Sequence, residues 1–156
     1  MTTGESLKLY WKKLHEKAKA PHVVHPGEDL AYDLFAAEDV TLVPGRVTLV
    51  RTGVAIQFEP AHGAIVKDRS SMALKGIKTS AGVIDAGYRG EILVPMTLDM
   101  NAPSAADGLH GGYAIKAGDK IAQMIPVKPL TTFEVEEREA LKEAVRGEKG
   151  FGSSGK

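Results

Sequence analysis

Apolar residues along this chain fall in short runs punctuated by glycine and proline, a rhythm of strands rather than helices. The pattern predicts strands at residues 39–42, 46–51, 54–58, 63–67, 91–98, 120–127 and 132–135. Several alternate as a sheet with one buried face does, with Val47 and Leu49 against Thr48 and Val50. Turn chemistry separates the runs at Pro44-Gly45, between Pro60 and Gly63, at Ala86-Gly87 and across Ala117-Gly118-Asp119. Strands at this spacing predict an all-β domain, a sandwich or closed barrel of the jelly-roll kind. Two segments could be helical. Leu7, Trp11, Leu14 and Ala18 recur at helical spacing, yet Leu7, Leu9 and Trp11 also alternate as in a strand, and periodicity leaves both open. Residues 136–145 (EEREALKEAV) are good helix formers and predict a short helix. Residues 101–112 (NAPSAADGLHGG) are small, polar and glycine-rich and predict an exposed loop.

Composition narrows the functions without selecting one. A length of 156 residues suits one domain with a real core, and no internal repeat or second domain boundary is visible. Twenty basic residues balance twenty acidic ones, so no global field draws the chain to nucleic acid or a membrane, and any bound anion must be held by local charge. The absence of cysteine excludes disulfides, thiolate metal sites and cysteine nucleophiles. The first twenty residues lack the unbroken apolar core of a signal peptide, and no stretch approaches the roughly 18 apolar residues that span a bilayer. The expected protein is soluble and cytoplasmic.

Chemistry concentrates in three places. In GVIDAGYRGE (82–91), Asp85 stands at the mouth of an expected tight hairpin, where a rigidly held carboxylate is placed to act as a general base. Tyr88, three residues on, offers a planar face to a substrate ring. Asp beside Gly also commonly satisfies its own turn backbone, and the segment alone leaves that alternative open. In Asp68-Arg69-Ser70-Ser71, Arg69 presents a fork for phosphate oxygens and the serines add short donors; the serines could equally cap a helical turn starting near Met72. The tail RGEKGFGSSGK (146–156) carries three cations against one anion around Phe151, which fits either a mobile terminus or a flap that orders over an anionic ligand. Its G-x-x-x-x-G-K spacing at 150–156 is no P-loop, because the hydroxyl residue and helix that should follow are missing. His15, His22, His25, His62 and His110 form no ligand pattern for a transition metal.

Five segments in order, AYDLFA (31–36), DRSSMALKGI (68–77), GVIDAGYRGE (82–91), GDKIAQM (118–124) and RGEKGFGSSG (146–155), resemble the motifs of the trimeric dUTP pyrophosphatases, the dUTPases. The resemblance implies a distorted jelly-roll or β-clip barrel over residues 1–145 and a flexible glycine-rich arm over 146–156. It implies hydrolysis of dUTP to dUMP and pyrophosphate, limiting uracil in DNA and supplying dUMP for dTMP synthesis. By resemblance Asp85 activates the attacking water, and Tyr88 packs under the deoxyribose to reject a 2′-hydroxyl. The backbone around Thr79, Gly82, Val83 and Ile84 reads the uracil edge, and Leu93 lies among the substrate contacts. Arg69, Ser70, Ser71 and Gln123 match phosphate-contacting positions. Arg146, Gly152, Ser153 and Ser154 match contacts of the arm, with Phe151 stacked on uracil. Magnesium is implied on the triphosphate with no direct protein ligand, Asp33 meeting it through water or else serving only a structural turn. A homotrimer is implied, each site drawing on all three chains and each arm closing over a neighbour's site.

The departures from the family pattern are local. Leu30-Ala31 stands where Ala-Gly is usual, Thr79 replaces a common asparagine, and Ser71 and Lys149 each replace a common glycine. The 101–112 loop is long for the family. Two rival readings fit the sequence less well. A dCTP deaminase of the same fold calls for an arginine and a glutamate where Leu74-Lys75 and Val94-Pro95 stand. A non-catalytic regulatory module would tolerate loss of Asp85 or the arm, and both are present.

Overall fold

The structure, a computed structural model, describes residues 7–102 and 112–145. The arm residues Arg146, Phe151, Gly152, Ser153 and Ser154, and most of the expected 101–112 loop, lie outside them. Among the described residues the chain is built from strands and a single helical turn, so the all-β expectation holds. In order these are β1 (Lys8–Lys13), β2 (Tyr32–Phe35), β3 (Val40–Leu42), β4 (Val47–Arg51), β5 (Val54–Glu59), β6 (Gly63–Lys67), α1 (Ser70–Ala73), β7 (Ile77–Thr79), β8 (Val83–Ile84), β9 (Leu93–Leu98), β10 (Tyr113–Ile115) and β11 (Lys120–Val127). No helix among them is long and apolar enough to cross a membrane.

A four-stranded sheet runs β2-β11-β6-β8 and a three-stranded one β4-β9-β7, flanked by the pairs β1-β5 and β3-β10. Every strand ladder is antiparallel. Alternation places one side chain in two on a common core, as β9 shows with Val94, Met96 and Leu98 buried between more exposed neighbours. Leu34, Leu42, Val50, Ile77, Ile92, Ile115, Ile121 and Met124 complete it from the other elements. Each such side chain contributes roughly 1.5–3 kcal/mol on burial. One irregularity shapes the site: on β11 the register steps from Lys120↔Phe35 to Ala122↔Leu34, so Ile121 is an extra residue. That bulge buries Ile121 and Ala122 in succession and brings Lys120 onto the face of Gln123.

The N-terminal ambiguity resolves to a strand, because Lys8–Lys13 pairs residue for residue with β5, from Lys8↔Glu59 to Lys13↔Val54. Two expectations fail. The strand at 132–135 and the helix at 136–145 are both irregular, exposed chain. Phe133 is 75% exposed, Val135 98% and Leu141 87%, so neither pattern finds a surface of this chain to bury against. Without packing, a ten-residue helix is marginal in water. β2, β7, β8 and β10 lie outside the strands that the pattern predicts; each spans only two to four residues.

Candidate active site

The motif residues gather in two clusters at opposite ends of β6. At its C-terminal end β6 runs into Asp68 and Arg69, and α1 follows directly, anchored by the buried Met72. Arg69 is the residue before the turn, with φ −83° and ψ 142°, and no side chain caps α1. Ser70 and Ser71 therefore open the turn without capping it. Beside them Gln123 of β11 faces Asp33 of β2 on one side and Lys67 of β6 on the other. These strands bring Asp33, Arg69, Ser70, Ser71, Lys120 and Gln123 around a cavity of about 620 Å³, with His22 and His25 on its outer wall.

Electrostatics order this cavity. Arg69 Nε donates to Asp33 Oδ1 at 3.1 Å and Lys120 Nζ lies 2.6 Å from Asp33 Oδ2, so one carboxylate faces two cations. Asp33 is only 16% exposed and belongs to a strand, which overturns the alternative of a structural turn. Arg69 Nη1 reaches Ser71 Oγ at 3.4 Å, and Gln123 Nε2 donates to the Asp68 carbonyl at 2.7 Å. Arg69 and Lys120 balance Asp33 and Asp29 in the lining, so the cavity has no net charge, and what it offers phosphate is the local donors of Arg69, Lys120 and the serines. At its rim the amide of His25 is the main influence holding the Asp29 carboxyl below its ordinary range. Lys120 escaped sequence reasoning because only the bulge at Ile121 turns it toward Asp33.

The second cluster is GVIDAGYRGE. The expected tight hairpin is corrected here, because its arms do not pair with each other. Val83 and Ile84 pair with Ile65 and Ala64 of β6, whereas Leu93 enters β9 between β4 and β7. The Val66 amide donates to the Gly82 carbonyl at 2.7 Å. Antiparallel alternation then turns the amide and carbonyl of Val83 away from β6, on the open edge of the sheet. The Tyr88 amide donates to the Asp85 carbonyl at 3.0 Å and closes the turn. Among the described residues nothing donates to the Asp85 carboxylate, which is exposed, so it is not occupied in satisfying its own turn. Tyr88, 44% exposed, donates its hydroxyl to the Glu91 carbonyl at 3.0 Å. Leu93 is 37% exposed on the outer face of β9, opposite Arg51.

Thr79, at the end of β7, is tied to Asp68 beside the first cluster. Its amide and its hydroxyl both donate to Asp68 Oδ1, at 2.6 and 2.8 Å, so neither donor is left for a base. The separation of the clusters follows from register. Ile84 lies opposite Ala64, and Asp85 sits beside Gly63, six residues before Arg69. At about 3.3 Å per residue that is on the order of 20 Å. A general base works within one hydrogen bond or one water of its target, so Asp85 and Arg69 of one chain do not meet at one phosphorus.

Comparison with known proteins bears on the family of the chain. The dUTPase family model matches residues 16–155. A deoxyuridine 5'-triphosphate nucleotidohydrolase from Clostridium novyi (strain NT) is 40% identical over 152 residues, covering 96% of this chain and 99% of the relative. The dUTPase of Staphylococcus bacteriophage 80alpha, solved with dUPNHPP, is 32% identical with a TM-score of 0.79, covering 95% of this chain and 98% of that one. A mutant dUTPase of phage phi11 of S. aureus, solved to show coordination of a structural Mg(II) ion, is 28% identical with a TM-score of 0.73, covering 87% and 99%. By sequence over nearly its whole length, and by a jelly-roll fold shared with those structures, this chain belongs to the dUTPase family.

Proposed function

We propose that this protein hydrolyses dUTP to dUMP and pyrophosphate, with Asp85 as the general base. The observation that carries the reading is the uncommitted Asp85 carboxylate, held in a closed turn between the open backbone edge of β8 and the Tyr88 ring. Asp85 takes a proton from water as its oxygen attacks the α-phosphorus; the bond from that phosphorus to the bridging oxygen breaks, and pyrophosphate leaves. The outward amide and carbonyl of Val83 pair with the complementary edge of uracil, beside Gly82 and Ile84. Tyr88 lies under the deoxyribose and leaves no room for a 2′-hydroxyl. Arg69, Ser70, Ser71 and Gln123 bind the phosphates, with Lys120 adding charge. The commitment of both Thr79 donors to Asp68 speaks against a direct Thr79 donation to uracil.

Two features support association between copies of the chain, which the family resemblance makes a homotrimer. The clusters lie too far apart to act on one phosphorus within a chain, and β4 and β9 present Val47, Leu49 and Leu93, 64%, 54% and 37% exposed, on a shared outer face. Phosphate clamp and base then come from different subunits. Residues 146–156 close over a neighbour's site, Arg146, Gly152, Ser153 and Ser154 on phosphate and Phe151 on uracil.

The donor set fits a Mg²⁺ carried by the triphosphate better than one caged by protein. Both Asp33 oxygens already face cations, and among the described residues no three acidic or histidine side chains converge on a metal position. Asp33 would meet the ion through water, and bound Mg²⁺ supplies neutralisation of phosphate charge. In the cell the reaction limits uracil in DNA and supplies dUMP for dTMP synthesis.

The test is pyrophosphate release from dUTP, dTTP, dCTP and UTP by the full chain with Mg²⁺. A strong preference for dUTP is expected, and equal turnover of all four would sink the reading. Asp85→Asn should lower kcat by about 10²–10⁴-fold or more while keeping affinity for a non-hydrolysable dUTP analogue.

A further inference from the structure

We infer that Glu91, through its bridge to Arg51 and the Gly53 amide, fixes the Tyr88 ring and so acts as a positioning residue for discrimination against ribonucleotides. The inference rests on the reading of Tyr88 given above.

Glu91 is bound through both its side chain and its main chain. Its carboxylate accepts from Arg51 Nε at 3.1 and 3.3 Å, from Arg51 Nη2 at 3.0 Å and from the Gly53 amide at 2.8 Å. Its carbonyl accepts the Tyr88 hydroxyl. One residue thus joins the Arg51–Gly53 bridge, through its side chain, to the tyrosine, through its carbonyl. The body on the other side of the bridge is rigid. The hydroxyl of Thr52, a fully buried polar residue, donates to the Ile92 carbonyl at 2.6 Å, and the Ile92 amide donates to the Val54 carbonyl at 2.8 Å. Gly53 has φ +67°, and an added Cβ there would lie 2.6 Å from His15 Cβ and 2.8 Å from Ala18 Cβ. The amide that Glu91 grips thus belongs to a position that only glycine fits.

The ring is confined from the remaining directions. A Cβ on Gly90 would collide with the Tyr88 hydroxyl and ring, so the ring lies against the bare backbone of residue 90. Arg89 Nη1 donates to the carbonyls of Ala86 and Tyr88, at 2.8 and 2.9 Å, and stiffens the turn that carries the tyrosine. Rejecting one extra hydroxyl by contact with a ring requires the ring to hold its place within a fraction of an ångström. The Arg89 contacts are local to the turn, and no strand pairing joins β8 to β9 across it. The bridge to the β4–β5 turn supplies the hold from outside.

The experiment measures kcat/KM for dUTP and for UTP with the full chain carrying Glu91→Gln, Glu91→Asp, Tyr88→Phe, Tyr88→Ala and the Tyr88→Phe/Glu91→Gln pair. Glu91→Gln should lower the dUTP:UTP preference about tenfold, in line with the sensitivity of oriented sites to small displacements. Glu91→Asp should restore part of it, and the double variant should discriminate no worse than the poorer single one, because both act on one ring. Should Glu91→Gln fail to fold, Arg51→Lys, which keeps the charge and loses the fork, carries the same readout. A preference unchanged in Glu91→Gln beside a lowered Tm would make Glu91 a structural residue only and overturn the inference, as would additive losses in the double variant. If Tyr88→Ala keeps the full preference, the reading of Tyr88 fails, and the inference falls with it for that distinct reason.

Discussion

Three carboxylates on this chain show how surroundings divide one chemistry into different roles. Asp33 faces Arg69 and Lys120 and serves to orient cations. Asp85 accepts no hydrogen bond from its neighbours among the described residues, as the proposed general base requires. Glu91 lies between them in character. Burial alone would push its carboxyl up, but the hydrogen bonds from Arg51 and the Gly53 amide, with the Arg51 charge, outweigh it and hold the carboxyl below 4.5, its ordinary value. A folded-state pKa below the unfolded one stabilises the fold above the unfolded value, and that contribution disappears as pH falls through the folded value. Glu91→Gln should therefore melt a few degrees below the wild type near pH 7, and the gap should close as pH drops below the ordinary glutamate value. A gap that stays constant from pH 7 to pH 3 in thermal melts would show that the carboxylate charge is not what the bridge uses. None of this was legible in the sequence, where Arg51 and Glu91 stand forty residues apart with nothing to link them.

The long strands β6 and β11 have the bounds that alternation and turn residues predict, because each is long enough to show a period and is flanked by glycine or proline. What the pattern cannot show is which strand pairs with which, and there the site departs from expectation. The segment around Asp85 reads as a hairpin by its central Ala86-Gly87, yet β8 joins β6 and β9 joins β4 and β7. The extra residue at Ile121 is likewise invisible in sequence, and it alone aligns Lys120 with Gln123. Close approach of β8 to β6 depends on Gly82, where an added Cβ would collide with the Val66 carbonyl and lie 3.2 Å from the Val66 Cβ. That obstacle is backbone and cannot swing aside. Gly82→Ala should push β8 off β6 and destabilise the fold by about 1–3 kcal/mol. Because Val83 lies on β8 and Asp85 follows that strand directly, dUTP turnover should fall more than stability predicts. Denaturant melts and kcat/KM on the same preparation check both, and an unaffected turnover would mean that the edge of β8 does not read the base.

At the scale of the whole molecule, the two halves of the chemistry are linked by β6 and also separated by it. Asp85 stands beside Gly63 at one end, and Arg69 follows Lys67 at the other. A site that needs both must take them from different copies, so two inactive variants should repair each other. Asp85→Asn chains keep the clamp and Arg69→Ala chains keep the base. Each alone forms sites that all lack one group. Mixed in equal amounts by unfolding and refolding together, or by co-expression, they assemble some junctions where an intact Asp85 meets an intact Arg69. If chains combine at random, about a quarter of junctions have both groups intact, since each of the two contributing positions is right half the time. Recovered activity near a quarter of the wild-type rate is the expected outcome, measured as pyrophosphate release per subunit. Mixing already folded homo-oligomers without exchange should recover none. If co-assembled variants stay as inactive as the separate ones, Asp85 and Arg69 serve the same chain's site, and the separation along β6 would have to be closed by a movement within one subunit.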